Sequence, residues 1–216
     1  MKKVKYLIIV GLASIFTGSP VLAQESTSAK DIRFTIKTNP LSAMGGPLFV
    51  AWIVPLTAEY KVYFEAQTLA KQSVQIGLGY LGSSPLVATI GDLQGDTSIV
   101  SSGFRGQLWY KFFLTDDDAP SGFYVGPHVS YASAKLKNSE KPDEYFKATK
   151  LNIDVILGYQ VISKGGFALD IYTGLGLKNK TFNTSAFNMN ETFEDWKLNN
   201  KTSIGVPIGF SFGYAF

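Results

Sequence analysis

The chain has 216 residues, no cysteine, a single histidine and a formal net charge of +3. The absence of cysteine excludes a disulfide framework and thiolate metal sites, and one histidine, His128, excludes a multi-histidine metal centre. Setting aside Lys2, Lys3 and Lys5 near the start leaves 17 basic residues against 17 acidic ones, a balance that implies no nucleic-acid or anionic-surface partner.

Residues 1–23 read as a cleaved secretory signal peptide. Lys2, Lys3 and Lys5 form its charged start, and Tyr6 to Phe16 its apolar stretch, too short to span a bilayer. Gly18-Ser19-Pro20 breaks the helix before Val21-Leu22-Ala23, a small-residue cleavage site. The mature chain is expected to start at Gln24 and to form one domain, 24–216, with no linker or second composition regime.

Eight segments of period two follow, each with one apolar and one polar or small face. The first sets Ile32, Phe34 and Ile36 against Arg33, Thr35 and Lys37, and the second Ala58, Tyr60, Val62 and Phe64 against Glu59, Lys61, Tyr63 and Glu65. The third runs over 73–80 with Val74, Ile76, Leu78 and Tyr80 apolar. The fourth, 104–112, sets Phe104, Leu108, Tyr110 and Phe112 against Arg105, Gln107, Trp109 and Lys111. The fifth, 123–131, sets Phe123, Val125, Val129 and Tyr131 against Tyr124, Gly126, His128 and Ser130.

In the sixth, 151–160, Ile156 is the one misfit on a face that also carries Asn152 and Asp154. The seventh, 167–178, places Asp170, Tyr172 and Lys178 opposite Phe167, Leu169, Ile171, Leu175 and Leu177. The last alternates without exception from Ile204 through Val206, Ile208, Phe210, Phe212 and Tyr214 to Phe216. Such lengths suit tilted strands that cross a hydrocarbon core.

Connections alternate between short and long. Thr68–Gln72, Thr115–Gly122 and Ser163–Gly166 are short, whereas 39–56, 82–103, 136–148 and 179–201 are long. That alternation is expected of an up-and-down barrel with tight periplasmic turns, long outer loops and both termini inside. An eight-stranded lumen is only just wide enough for side chains, so the face rich in Phe and Tyr is expected outside and the face with Gly, Ser and charges inside. Phe112, Phe123, Tyr159, Phe167, Tyr214 and Phe216 then fall at the periplasmic ends of strands, and Tyr80, Phe104 and Tyr131 towards the outer ends, as two aromatic girdles would.

The terminal strand with Phe210, Phe212, Tyr214 and Phe216 resembles the C-terminal targeting strand of bacterial outer-membrane β-barrels. Ile36-Lys37-Thr38-Asn39-Pro40, Pro55-Leu56-Thr57-Ala58-Glu59-Tyr60 and Gly122-Phe123-Tyr124-Val125-Gly126-Pro127 are similar to segments of small outer-membrane barrels of OmpA/OmpX-type architecture. The resemblance covers the mature chain and carries architecture only. It implies an all-β, eight-stranded, antiparallel transmembrane barrel in the outer membrane, in contact with lipid and lipopolysaccharide, monomeric, and recognised by the barrel assembly machinery through its last strand. No peptidoglycan-binding domain is expected after that strand, so an anchoring role is not implied.

Little chemistry is written on the chain, and no cofactor, metal or catalytic residue is expected. His128, Ser130 and Glu140 resemble the histidine, serine and glutamate of outer-membrane lipid A deacylases, but His128 and Ser130 fall on the lumenal face, away from lipid, so a lumenal polar network is the favoured reading. Asp116-Asp117-Asp118 lacks the spacing of a calcium loop and reads as a solvated turn. The Asn-x-Ser/Thr sequences at Asn179, Asn183, Asn190 and Asn200 mark an exposed polar loop. Residues 47–56 are too apolar for a solvated loop; they extend the second strand past Pro55 at a bulge, the favoured reading with Trp52 at an interface, or lie at the lipid interface, or fold over the barrel mouth.

The lumenal face gathers Arg33, Lys37, Lys61, Arg105, Lys111, Lys150 and Lys178 with Glu59, Glu65, Asp154 and Asp170. Charges persist in a narrow interior when paired, with Glu59 and Glu65 expected to neutralise lysines on neighbouring strands, so a plugged lumen is expected. The expected work is structural, or interaction through the outer loops 82–103 and 179–201. A narrow porin-like channel is the alternative, and a lipid-modifying enzyme a more distant one.

Overall fold

A computed structural model describes residues 34–44, 57–83, 99–116, 119–138, 143, 145–185 and 201–216. The expected signal peptide, Arg33, Trp52 with the apolar run 47–56, Asp117, Asp118, Glu140, Asn190 and Asn200 fall outside these residues. The strands are β1 (Phe34–Thr38), β2 (Thr57–Leu69), β3 (Gln72–Ser83), β4 (Ile99–Phe113), β5 (Gly122–Asn138), β6 (Tyr145–Ile162), β7 (Phe167–Ser185), β8 (Lys201–Gly205) and β9 (Ile208–Ala215). A short 3-10 turn, Pro40–Met44, follows β1.

Every pairing is antiparallel, and β1 pairs with both β2 and β9, so the sheet closes on itself. β8 and β9 both pair with β7, and the chain between them is Val206-Pro207. Pro207 has no N–H for the ladder, which interrupts the strand without moving its register. The two pieces therefore act as one stave, and the fold is a closed eight-stranded antiparallel barrel. Phe34 N–H donates to Phe216 O at 3.0 Å, and Phe216 N–H donates back at 2.9 Å, which seals the seam at the chain end.

The register fixes the barrel's shape. Starting at Lys37, successive partners are Tyr63, Gly77, Gln107, Ser130, Asn152, Lys178 and Ser203. Ser203 lies ten residues from Gly213, which is Lys37's direct partner on the closing stave. A stagger of ten residues at a rise of ~3.3 Å over eight strands ~4.8 Å apart tilts the strands by about 40°. Each residue then climbs about 2.5 Å along the barrel axis.

Side chains divide by face as strand geometry requires. Ile36, Val62, Phe64, Ile76, Leu78, Leu108, Ile153, Val155, Leu157, Ile171 and Leu175 are exposed on the outside, Leu78 by 63 %. Thr35, Lys37, Glu65, Gln75, Lys111, Asp154, Gln160 and Asp170 are buried inside. From Phe167 to Leu177 on β7 the outer face climbs about 25 Å. The aromatic residues at strand ends lie on this outer face, with Phe104 and Tyr131 rings 5.9 Å apart at one end and Phe34 and Phe216 rings 6.1 Å apart at the other.

The strands run further than the apolar alternation indicated. β5 reaches Asn138, β6 begins at Tyr145, and β7 reaches Ser185, inside stretches expected as loops. Past the apolar belt the outer face turns polar, as at Lys135, Lys147, Asn179 and Thr181, while the inner face carries Leu136, Phe146 and Phe182, so the apolar-out contrast is lost while the ladder continues. Ile156, the misfit, points inward and is fully buried against Tyr63, Trp109 and Tyr124.

Candidate functional site

The short turns set one end of the lumen. In the β6–β7 turn Gly166 has φ +86°, and a Cβ there would meet the Tyr214 ring at 2.6 Å, so this tight turn needs glycine. The β4–β5 turn folds across the opening. Ala119 N–H donates to Ala70 O at 2.7 Å, Lys71 Nζ donates to Thr115 O and Asp116 O, and Ala119 and Pro120 are buried. Asp116 thus lies in a turn pinned from β2–β3.

Behind this turn lies a neutral quartet, two lysines and two carboxylates. Lys37 Nζ donates to Glu65 Oε2 at 2.6 Å, Gln160 Oε1 at 2.6 Å and Asp170 Oδ2 at 2.8 Å. Lys111 Nζ donates to Asp170 Oδ2 at 2.8 Å and Gln160 Oε1 at 3.1 Å, and lies 3.2 Å from Glu65 Oε1. Each ammonium therefore has three acceptors for its three N–H groups. Thr35 and Ser73 donate to Glu65, and Tyr124 donates to Asp170 Oδ1 at 2.7 Å, so the carboxylates are also filled. Geometry of this quality is what offsets the desolvation of four charges.

An aromatic layer lies above the quartet. The Tyr63 and Trp109 rings meet edge to face at 5.3 Å, Tyr172 meets Trp109 at 6.3 Å, and Ile156 fills the space between strands. Trp109 in turn stacks on His128 at 4.2 Å. This half of the lumen is packed.

Beyond the aromatic layer the character changes. His128 Nδ1 lies 2.9 Å from Asp154 Oδ2. Arg105 Nη1 donates to Glu59 Oε2 at 2.6 Å, and Lys61 Nζ approaches the same oxygen at 3.4 Å. Further out stand Lys150, Lys178 and Lys180 on β6 and β7, facing inward, none in a salt bridge with a described residue. Buried atoms without a partner among the described residues occur in both halves. Around the quartet and aromatic layer they are Tyr63 Oη, Gln75 Oε1, Thr115 Oγ1, Gln160 Nε2 and Ser211 Oγ. Here, beside the surplus cations, they are Glu59 Oε1, Arg105 Nε, Gln107 Nε2, His128 Nε2 and Asn152 Oδ1.

The residues expected on the lumenal face thus separate into two groups. Lys37, Glu65, Lys111 and Asp170 come together in the quartet. Glu59, Lys61 and Arg105 form a second cluster, Asp154 goes to His128, and Lys178 joins neither. Glu65 on β2 pairs with Lys37 on the neighbouring β1, as expected, and also reaches past β3 to Lys111 on β4, whereas Glu59 takes Arg105 on β4 and Lys61 on its own strand. Gln160 and the turn residues Ala119 and Pro120 carry no charge signal and were not legible as lumen-filling. Tyr63, Trp109, Tyr124 and Tyr172 sit on the polar face of the alternation, and four aromatics there were the available sign of a packed layer. His128 and Ser130 are both buried on the inner face, and the imidazole's carboxylate partner is Asp154.

Among the described residues, no group of three or more His, Asp or Glu side chains is placed to hold a metal ion. No protein-family profile, curated protein or solved structure matches the chain.

Proposed function

We propose that the protein is exported and spans the bacterial outer membrane as a barrel whose lumen is closed at the periplasmic end, and that it works structurally or by interaction through its outer loops. The observation that carries this reading is the pairing of an apolar belt around the outside with a charge-neutral, hydrogen-bonded quartet inside at the short-turn end. Exposed apolar surface on this scale, encircling the barrel to a height of about 25 Å, matches the hydrocarbon core in size and demands a lipid partner. Short turns then face the periplasm, and the long connections within 82–103 and 179–201 face outward, towards lipopolysaccharide. Phe210, Phe212, Tyr214 and Phe216 supply the terminal aromatic strand for the assembly machinery. The protein acts as a monomer without an enzymatic step. His128 faces the lumen, where a membrane lipid's acyl chains do not reach.

Cell fractionation should place the protein in the outer membrane, and purified protein in planar bilayers should show no stable conductance. Recovery from the soluble periplasm would overturn the membrane reading. Large steady currents would instead favour a narrow porin-like channel, the second reading, for which the cation-rich outer half of the lumen is the supporting observation.

A further inference from the structure

The outer half of the lumen holds five cations, Lys61, Arg105, Lys150, Lys178 and Lys180, against two carboxylates, Glu59 and Asp154, among the described residues. Glu59 is engaged by Arg105 and Lys61, and Asp154 by His128. Lys150 and Lys180 stand directly opposite each other in the β6–β7 register, and like charges so placed repel. Arg105, Lys178 and Lys180 all repel Lys150, and Glu59 attracts it more weakly. Among the described residues, the charges balance in the quartet at one end and leave a positive excess at the other.

The unpartnered atoms say what would balance it. A carboxylate only accepts, so the Asp154 contact places the proton of a neutral His128 on Nδ1, leaving the Nε2 lone pair as an acceptor. His128 and Gln107 are both more than nine-tenths buried, and His128 Nε2 and Gln107 Nε2 have no partner among the described residues. Gln107 Nε2 and Arg105 Nε are donors, whereas His128 Nε2, Asn152 Oδ1 and Glu59 Oε1 are acceptors. An anion without a proton satisfies only the donors. A singly protonated tetrahedral oxyanion satisfies the donors and, with its one O–H, one of the three acceptors, for which the buried His128 Nε2 is the candidate.

We propose that the outer half of the lumen is a binding site for a hydrogen phosphate or phosphomonoester group, held by Arg105, Lys150 and Lys178, with Gln107 donating to it and the His128 imidazole accepting its proton. The site is defined by the barrel register and the lumenal side chains, so it stands apart from the proposed membrane location. The phosphate group can belong to a free solute or to a lipid headgroup reaching the barrel mouth, and the two sources can be told apart.

His128 is the only histidine of the chain, so its imidazole resonances in protein without a histidine tag report on the site without ambiguity. Titration of the folded barrel in detergent with inorganic phosphate should shift these resonances to saturation. Sulfate at equal ionic strength should bind about tenfold more weakly, because it lacks the proton that Nε2 accepts. Replacing Lys178 with Gln, and separately Lys150 with Gln, should each weaken phosphate binding by about tenfold, the worth of one charge-assisted hydrogen bond. A lipid phosphomonoester in vesicles that shifts His128 where inorganic phosphate does not would place the source in the membrane. Absence of a shift with either phosphate source at millimolar concentration would overturn the proposal, and so would equal responses to phosphate and sulfate or unchanged binding in both variants. Retained compactness of each variant on unheated gels separates lost binding from lost fold.

Discussion

The two halves of the lumen are built from the same residue types on the same strands, yet they solve the problem of interior charge differently. At the short-turn end Lys37, Lys111, Glu65 and Asp170 cancel, and each ammonium finds three acceptors within 3.2 Å. At the outer end Lys150, Lys178 and Lys180 form no salt bridge with a described carboxylate, whereas unmatched buried polar atoms occur at both ends. The first arrangement cancels charge within the lumen; the second leaves cations without a salt bridge among the described residues. The aromatic layer of Tyr63, Trp109 and Tyr172 separates them.

The difference can be broken from the closed side first. Asp170→Ala removes the carboxylate shared by Lys37 and Lys111 and strands an excess buried cation, which should cost about 3–5 kcal/mol of stability in a denaturant titration. An unchanged midpoint would mean that the quartet is solvated. Gln160→Leu keeps the volume but takes an acceptor from both lysines at once. The expected loss is about 1–3 kcal/mol, read in the same titration, and no loss would mean that water replaces the amide freely. The smallest effect belongs to the outer half. Lys178→Met should stay within about 0.5 kcal/mol of the parent, because no ion pair with a described residue is lost and repulsion with Lys150 is relieved. A loss as large as that of Asp170→Ala would erase the distinction between the halves.

The same contrast explains what could be read from the chain. The alternation of Leu151, Ile153, Val155, Leu157 and Tyr159 against Asn152, Asp154 and Gln160 sufficed to separate outside from inside, because one face carries only large apolar or aromatic side chains. Before Leu151 the pattern inverts, with Phe146 inward and Lys147 outward, so the extension of β6 back to Tyr145 did not continue the apolar-out alternation. Lumenal charges were legible as a set, since alternation assigns a face. Their partners were not, because the meeting of Lys37 with Asp170 depends on the closure of β1 through β9 to β7. A stagger of ten residues is a property of the closed ring and of no single strand. Ile156 looked like an error in the pattern until Trp109 and Tyr63 supplied an apolar layer inside the polar lumen.

Both halves presuppose that the apolar face meets lipid, and one measurement decides that most directly. Val155 is 57 % exposed on the outer face of β6, and Asn152 lies on the inner face of the same strand. With the protein folded into lipid vesicles and titrated with denaturant, Val155→Arg should lose about 2–4 kcal/mol, the cost of a cation facing hydrocarbon near the bilayer midplane. Asn152→Arg, which adds a cation to a polar lumen near its outer mouth, should lose less. If Asn152→Arg proved the more damaging of the two, the outer face would not be in contact with lipid, and the account would fail.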